Sequence, residues 1–244
     1  MQGIDAEHMA EPGQVYDRIK SRLLAHMPAP MQLLQIGSLA DELGTSTTPV
    51  REALTRLAAE RVIVYLPKKG FFSKTLSEDE LRGLYVVNQT LLRCTPHDKS
   101  ADTLHPVEPE RCPPSAPARS IEPAAAQMVQ DRPISAQEAG QQVELTALLF
   151  VQIAQRSGNS AVTDIVSNIN DRLHHARMVE QDVIADAREE LLHLYDLHHA
   201  NLHRQTLRAV VSYHERRLQL LPLICKELLF RPFSSSGRQH ESRS

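Results

Sequence analysis

Residues 38–74 read SLADELGTSTTPVREALTRLAAERVIVYLPKKGFFSK, and the fold follows from this stretch. Within it Val50, Ala53, Leu54, Leu57 and Ala58 keep the i, i+3, i+4, i+7, i+8 spacing that lines up apolar side chains on one face of a helix. Ser46 stands where the N-cap of that helix belongs. Behind it, VIVYL reads as a strand, PKKG as a tight turn and FFSK as the returning strand, because β-branched and aromatic residues flank a Pro/Gly turn. Ahead of it, GSLADELG predicts a short helix with Ser38 as cap, Leu39 and Leu43 on one face and Gly44 as the C-terminal stop. Further upstream Val15, Ile19 and Leu23 recur every four residues, with Tyr16 and Leu24 alongside, which predicts a first helix ending near Pro28. Three short helices and a hairpin make a winged helix-turn-helix.

This segment is also where positive charge gathers. Between Ser46 and Lys74, Arg51, Arg56, Arg61, Lys68, Lys69 and Lys74 face only Glu52 and Glu60, so the stretch carries +4 in a chain whose net charge is -3. A cationic face on an acidic body is a phosphate-binding surface in waiting. The start of the third helix offers Ser46, Thr47, Thr48 and Arg51, hydroxyls and amides suited to phosphate and a guanidinium able to reach guanine as a bidentate donor. The wing adds Lys68 and Lys69 beside Gly70, whose missing side chain lets the backbone approach a groove. With Ser38 at the second helix, these residues form the expected DNA-binding set.

The remainder reads as helix. Ser77 with Glu80 is a capping box opening a helix marked by Leu81, Leu84, Tyr85 and Leu91. From Cys94 to Pro133 the periodicity collapses in a stretch holding eight of the fifteen prolines, expected to be an extended or disordered loop. A second capping box at Ser135 and Glu138 restarts helix, which should stop at Gly158-Asn159. Val162, Ile165, Val166, Ile169 and Leu173 stripe the next helix, and Val183 to Phe230 stays helical, with Pro222 kinking or starting the last segment. The expected organisation is a disordered leader (1–12), a winged helix-turn-helix (13–75), a linker helix (76–93), a Pro-rich loop (94–134), a helical effector-binding and dimerisation domain (135–231) and a disordered tail (232–244). The fold class is mainly α, a winged helix followed by an all-α bundle.

Composition limits the alternatives. An aromatic content of 4% with no Trp favours helices packed through aliphatic stripes over a sheet-rich fold. Cys94, Cys112 and Cys225 are scattered and odd in number, which suggests neither a disulfide framework nor a zinc ribbon and points to a reducing cytoplasm. No run approaches the roughly 18 apolar residues of a membrane span, and MQGIDAEHMAEPGQ lacks the basic-then-apolar order of a signal peptide, so a soluble, unexported protein is expected.

From Val15 to Phe72 the chain resembles the DNA-binding domain of the GntR family, through SLADELGTSTTPVREALTRLAAERVI followed by PKKGFF. The resemblance implies a homodimer gripping a double-stranded operator through Ser46, Thr48, Arg51 and Gly70; where many members have Arg after the serine, this chain has Thr47. LFVQIAQRSGNSAV and HRQTLRAV are similar to the helical effector domain of the FadR-like branch, the FCD domain. Many such domains hold a metal through an Asp and a His four residues apart and two later His residues. The corresponding early positions here are Thr146 and Phe150, His203 keeps one later position, and the last falls at about Cys225.

His174, His175, His193, His198, His199, His203 and His214 still make this part His-rich, and His199 with His203 reads as an i, i+4 pair able to chelate a metal on one helix face. With both early ligands absent, no bound metal and no cofactor are expected. A small-molecule effector, an organic acid held by Arg172, Arg177 or His203, is the expected ligand. Two other readings compete: a His-rich metal-dependent enzyme, and a helical scaffold whose winged helix binds protein. The first finds no HExxH, GxSxG, GxxxxGKS/T or GxGxxG motif, and the second is opposed by the basic segment. The expected function is a ligand-responsive DNA-binding regulator acting as a repressor.

Overall fold

The computed structural model describes residues 12–26, 28–94 and 136–230. The leader, the Pro-rich stretch with Ser135, and the tail lie outside the described residues. Helix α1 (Pro12–Ala25), α2 (Ile36–Leu43) and α3 (Thr47–Ala59) are followed by an antiparallel hairpin of β1 (Ile63–Leu66) and β2 (Gly70–Ser73). The register pairs Ile63 with Ser73 and Leu66 with Gly70, and Leu33 bridges to Phe72 on the other edge. The predicted stripes are the core here: Val15, Ile19, Leu39, Val50, Ala53, Leu54, Leu57, Ile63 and Phe71 are buried together. Burying them drives the assembly, since each fully buried aliphatic side chain contributes about 1.5–3 kcal/mol.

Ser38 does not cap α2. The helix begins two residues earlier, at Ile36, with Gln35 at the cap position, and the Ser38 hydroxyl donates to Gln35 Oε1 at 3.1 Å. Gly44 does close the helix, at φ 64, with its N–H turned back to Ala40 and Asp41.

Helix α4 (Glu78–Arg93) opens with the Ser77/Glu80 capping box, both bonds formed. Read from sequence as a linker, it packs into the bundle: Leu81, Leu84 and Tyr85 share a core with Ile169, Leu173, Leu221 and Ile224. Helices α5 (Ala136–Gln155), α6 (Ser160–Val183), α7 (Ala187–His199) and α8 (His203–Phe230) complete the bundle. A second cluster, with Leu149, Phe150, Ile153, Val166, Leu194, Val210 and Tyr213, joins α5 to α6, α7 and α8.

Three finer expectations change. The Gly158-Asn159 pair is divided: Gly158 takes the left-handed conformation at φ 65, whereas Asn159 caps the next helix by accepting from the Ala161 N–H at 3.0 Å. Ile165, placed on the buried stripe of α6, is 46% exposed; Val166 and Ile169 carry that face. Pro222 lies inside α8 and starts no new segment.

The two units touch through α1, α3 and α6. Lys20 pairs with Asp171 at 2.5 Å, and Asn168 Nδ2 donates to the Glu60 carbonyl at 2.9 Å.

Candidate nucleic-acid interface

The apolar stripe of α3 faces inward, so its opposite face and its first turn are left outside. Ser46 holds the cap conformation at φ -78, ψ 165, but its hydroxyl makes no capping bond, and Ser46, Thr47, Thr48 and Arg51 are all exposed. Pro49 falls in the first turn, where the N–H it lacks has no intrahelical partner to lose. Arg51 has no hydrogen bond or ion pair from its side chain among the described residues. Arg56, one turn on, differs: it pairs with Glu60 at 3.0 Å and lies 3.9 Å over the Tyr16 ring, tying α3 to α1. The Tyr16 hydroxyl donates to the same carboxylate at 2.5 Å. Nothing in the sequence separated these two arginines except their position relative to the stripe, which puts Arg51 at the open end.

The wing is a tight turn closed by the Lys69 N–H on the Leu66 carbonyl at 3.0 Å. Lys68 occupies the left-handed region at φ 65, and both Lys68 and Lys69 are exposed. Gly70 has φ +108, a conformation L side chains rarely adopt, and a Cβ there would meet Leu33 Cδ1 at 3.5 Å. Glycine is therefore required by the backbone of the turn itself, beside any approach to a groove. Tyr65, missed by the sequence reading, is 53% exposed on β1 and packs on Phe71 with ring centroids 5.0 Å apart.

The three expected effector residues do not come together. Arg172 is half-buried on the side of α6 that faces the winged helix, beside Lys74 and Pro28. Arg177 is 2% exposed inside the bundle: its Nη1 donates to Asn170 Oδ1 at 2.9 Å, its guanidinium lies 5.2 Å from the Phe150 ring, and its Nε and Nη2 have no partner. His203 sits at the start of α8, its Nδ1 against Arg156 Nη1. The arginine can only donate, so the ring nitrogen accepts.

The His199/His203 pair is not on one helix. His199 ends α7 and His203 begins α8, with a turn through Asn201 at φ 57 between them. His199 stacks on Tyr195 instead, at 3.9 Å between centroids. Thr146 donates back to the Gln142 carbonyl at 2.8 Å, Phe150 stacks on His214, and Cys225 packs against the apolar core with its thiol raised by burial. No cluster of three or more His, Cys, Asp or Glu that could hold a metal occurs among the described residues.

What occupies the bundle core is a charged network that the sequence did not reveal. The Glu180 carboxylate accepts from Tyr85 on α4, from Arg217 Nε at 2.9 Å and from Tyr213 at 3.3 Å on α8, while Arg217 Nη1 also reaches Glu190 on α7. Burial alone would raise the Glu180 pKa; the charges of Arg217 and Arg177 more than offset it and hold the group below the usual carboxylate range. A small cavity of about 10 Å³ beside Arg177, Glu180 and Gln142 has room for about one water. The signal for the network was present: Val210, Tyr213, His214, Arg217, Leu221, Ile224 and Leu228 keep helical spacing, so two polar residues sit on an apolar stripe.

Residues 12–72 match the family described as bacterial regulatory proteins, gntR family. The chain is 27% identical over 164 residues to the Nta operon transcriptional regulator of Aminobacter aminovorans, across 65% of this chain and 70% of the relative. Among solved structures, E. coli McbR/YncC superposes with a TM-score of 0.56 at 17% identity, over 88% of this chain and 99% of that one. A candidate transcriptional regulator, GntR, from Rhodococcus sp. RHA1 gives 0.60 at 13% identity, over 86% and 97%. At these identities the two structures establish a shared fold. The family and the curated relative are regulators rather than enzymes, which removes the metal-dependent enzyme from the competing readings.

Proposed function

We propose that this chain, a DNA-binding transcription regulator whose residues 12–72 belong to the GntR family, acts in the cytoplasm as an operator-binding homodimer answering to a small organic acid. The observation that carries the reading is the start of α3: Ser46, Thr47, Thr48 and Arg51 are exposed and their side chains have no partner among the described residues, with the Lys68–Lys69 turn on the same folded unit. In a helix-turn-helix this end of the third helix meets base edges, and the wing meets phosphate. Arg51 is assigned to base reading, Lys68 and Lys69 to phosphate.

Residues 136–230 are assigned the sensing role, as an effector domain of the FCD type. Arg177 offers two buried, unpartnered N–H positions, the donor set a carboxylate takes. The cavity beside it is closed to anything larger than water, so the effector enters as α5 moves from α6 and favours the state it fits. Tyr85 on α4 donates to Glu180, next to that cavity, and α4 leads directly to the wing, so a shift there reaches the duplex-binding face. Repression is the output assigned, since occupancy of a duplex needs no further contact surface.

The test begins with genomic fragments retained by the purified protein. On the preferred fragment, Arg51→Ala should cost about 1–3 kcal/mol and relax discrimination at one base position. Unaltered affinity and selectivity in a gel-shift titration would withdraw the assignment, and failure to retain any preferred duplex would favour a winged helix that binds protein.

A further inference from the structure

Between the winged helix and the bundle lies a cleft with more cations than its acids can answer. Arg61 and Lys74 line it from one unit, Arg172 and His175 from α6, and Pro28 and Leu76 close it with apolar surface. A second lobe continues it toward Leu81. The acids within reach are already engaged, Asp171 by Lys20 at 2.5 Å and Glu80 by Lys74 at 2.7 Å. The side chains of Arg61 and Arg172, one from each unit, have neither hydrogen bond nor ion pair among the described residues, and Arg172 Nε is buried without a partner. Burial, then the charge of Arg61, lower the Arg172 guanidinium from its ordinary value, with Glu80 pulling the other way.

Arg61 carries a second mark. It follows α3 at φ 60, the left-handed conformation that a helix end ordinarily gives to glycine. A side chain there is strained, and strain held at a specific residue is a pointer to function. Here the strained residue adds a cation opposite another cation. Like charges facing across a domain boundary are repulsive unless an anion lies between them.

We propose that this inter-domain cleft binds a small oxyanion, a carboxylate or a phosphate, bridged between Arg61 of the winged helix and Arg172 of the bundle. Guanidinium forks match the oxygen geometry of both anions. Each lobe holds about 30 Å³, against the roughly 10–15 Å³ that one water needs, so the space suits a few waters or one such anion. The bridged ion converts the repulsion into attraction and fixes the winged helix over the bundle beside the Lys20–Asp171 pair. The site stands independently of duplex binding, and its test does not use DNA.

The test is thermal unfolding of the full chain at constant ionic strength, titrating inorganic phosphate or acetate against chloride. Either salt at about ten times its Kd should raise the midpoint by roughly 3–5 °C, and the one that acts at lower concentration identifies the anion. Arg172→Gln and Arg61→Gln should each abolish the rise. Arg61→Gly, which relaxes the backbone and so folds at least as well, should abolish it too, while Arg188→Gln, an exposed cation on α7 away from the cleft, should keep it. The proposal is overturned if neither salt shifts the wild type beyond chloride, if the rise survives in the Arg61 or Arg172 variants, or if Arg188→Gln removes it.

Discussion

In the winged helix every buried side chain but Ser73 is aliphatic or aromatic, from Val15 on α1 through Leu57 on α3 to Phe71 on β2, and the polar residues assigned to DNA lie outside. The bundle buries Asn88, Asn170, Arg177, Glu180, His214 and Arg217 inside its apolar frame. An apolar core specifies shape through volume and tolerates exchange of one aliphatic for another. A charged core specifies partners: each group is stable only while the others are in place. The difference suits the two roles proposed above, a rigid unit that presents a surface and a unit whose interior responds to a ligand.

The largest effect should come from breaking the charged core. Arg217 is 1% exposed and joins Glu180 to Glu190, so Arg217→Met leaves two carboxylates without their cation and should destabilise the chain by about 3–5 kcal/mol in a urea melt. Adding Glu180→Gln should lose less than the sum of the single changes, because the second substitution removes a charge already orphaned. Additive losses would mean that the network is a set of independent contacts.

In the winged helix the matching test is Leu54→Ala. The side chain is fully buried on the α3 stripe, and its removal should cost roughly 2–5 kcal/mol, the range depending on how far Val50, Leu57 and their neighbours collapse into the space. Unlike the Arg217 loss, this one should be softened by Leu54→Met, which refills the volume without any specific partner. A melt in which Leu54→Met is as damaging as Leu54→Ala would show that this core too is specified residue by residue.

The same contrast explains what could be read from the sequence. Helix α3 and the hairpin were legible because their pattern is binary: apolar positions recur at helical spacing, then alternate about a Pro/Gly turn. The start of α2 is not legible because a Ser reads as a cap while Ile36, which packs against the buried face, extends the helix past it. In the bundle a charge on the stripe reads as a break or a solvated face, and only the partner decides otherwise. Arg217 needs Glu180, thirty-seven residues away, to be stable inside, and spacing along one helix carries no trace of that. His199 and His203 show the reverse error, a helical interval whose residues flank a turn; Asn201, a residue that readily takes the left-handed conformation, was the available sign. Arg172 and Arg177 share a helix but face different surroundings, one the inter-domain cleft and the other the core.

A smaller effect tests whether the polar core is held neutral where it can be. His214 is fully buried between Asn88 Nδ2 at 3.1 Å and the Val210 carbonyl at 2.7 Å, so Nδ1 donates and Nε2 accepts. Burial lowers its pKa from 6.5 to about 4. The unfolded chain therefore takes up this proton near pH 6.5 and the folded chain only near pH 4. Stability should be indifferent to His214 above pH 6.5 and fall by up to about 1.4 kcal/mol per pH unit between 6.5 and 4. His214→Gln should flatten the pH dependence of urea stability by that share in that window, whereas a parallel displacement of the whole curve would mean that the imidazole is not held neutral by burial.

The smallest effect belongs to the outer surface of the winged helix. Lys68 is exposed at the turn and pairs with no acid among the described residues. An exposed lysine contributes little to stability, so Lys68→Ala should leave the urea midpoint unchanged. If it neutralises one phosphate, the slope of log affinity against log salt should become shallower by about 0.9, with preferred and random duplexes affected alike. That uniformity separates it from Arg51, whose loss should fall on one base position. A salt slope that stays the same would move the wing off the duplex and leave α3 to carry binding alone. A loss confined to the preferred sequence would turn Lys68 from a phosphate contact into a reader of bases. Either result would redraw the polar face of the winged helix while leaving its apolar core untouched, an uncoupling that the bundle, where the groups proposed for sensing also hold the core together, does not allow.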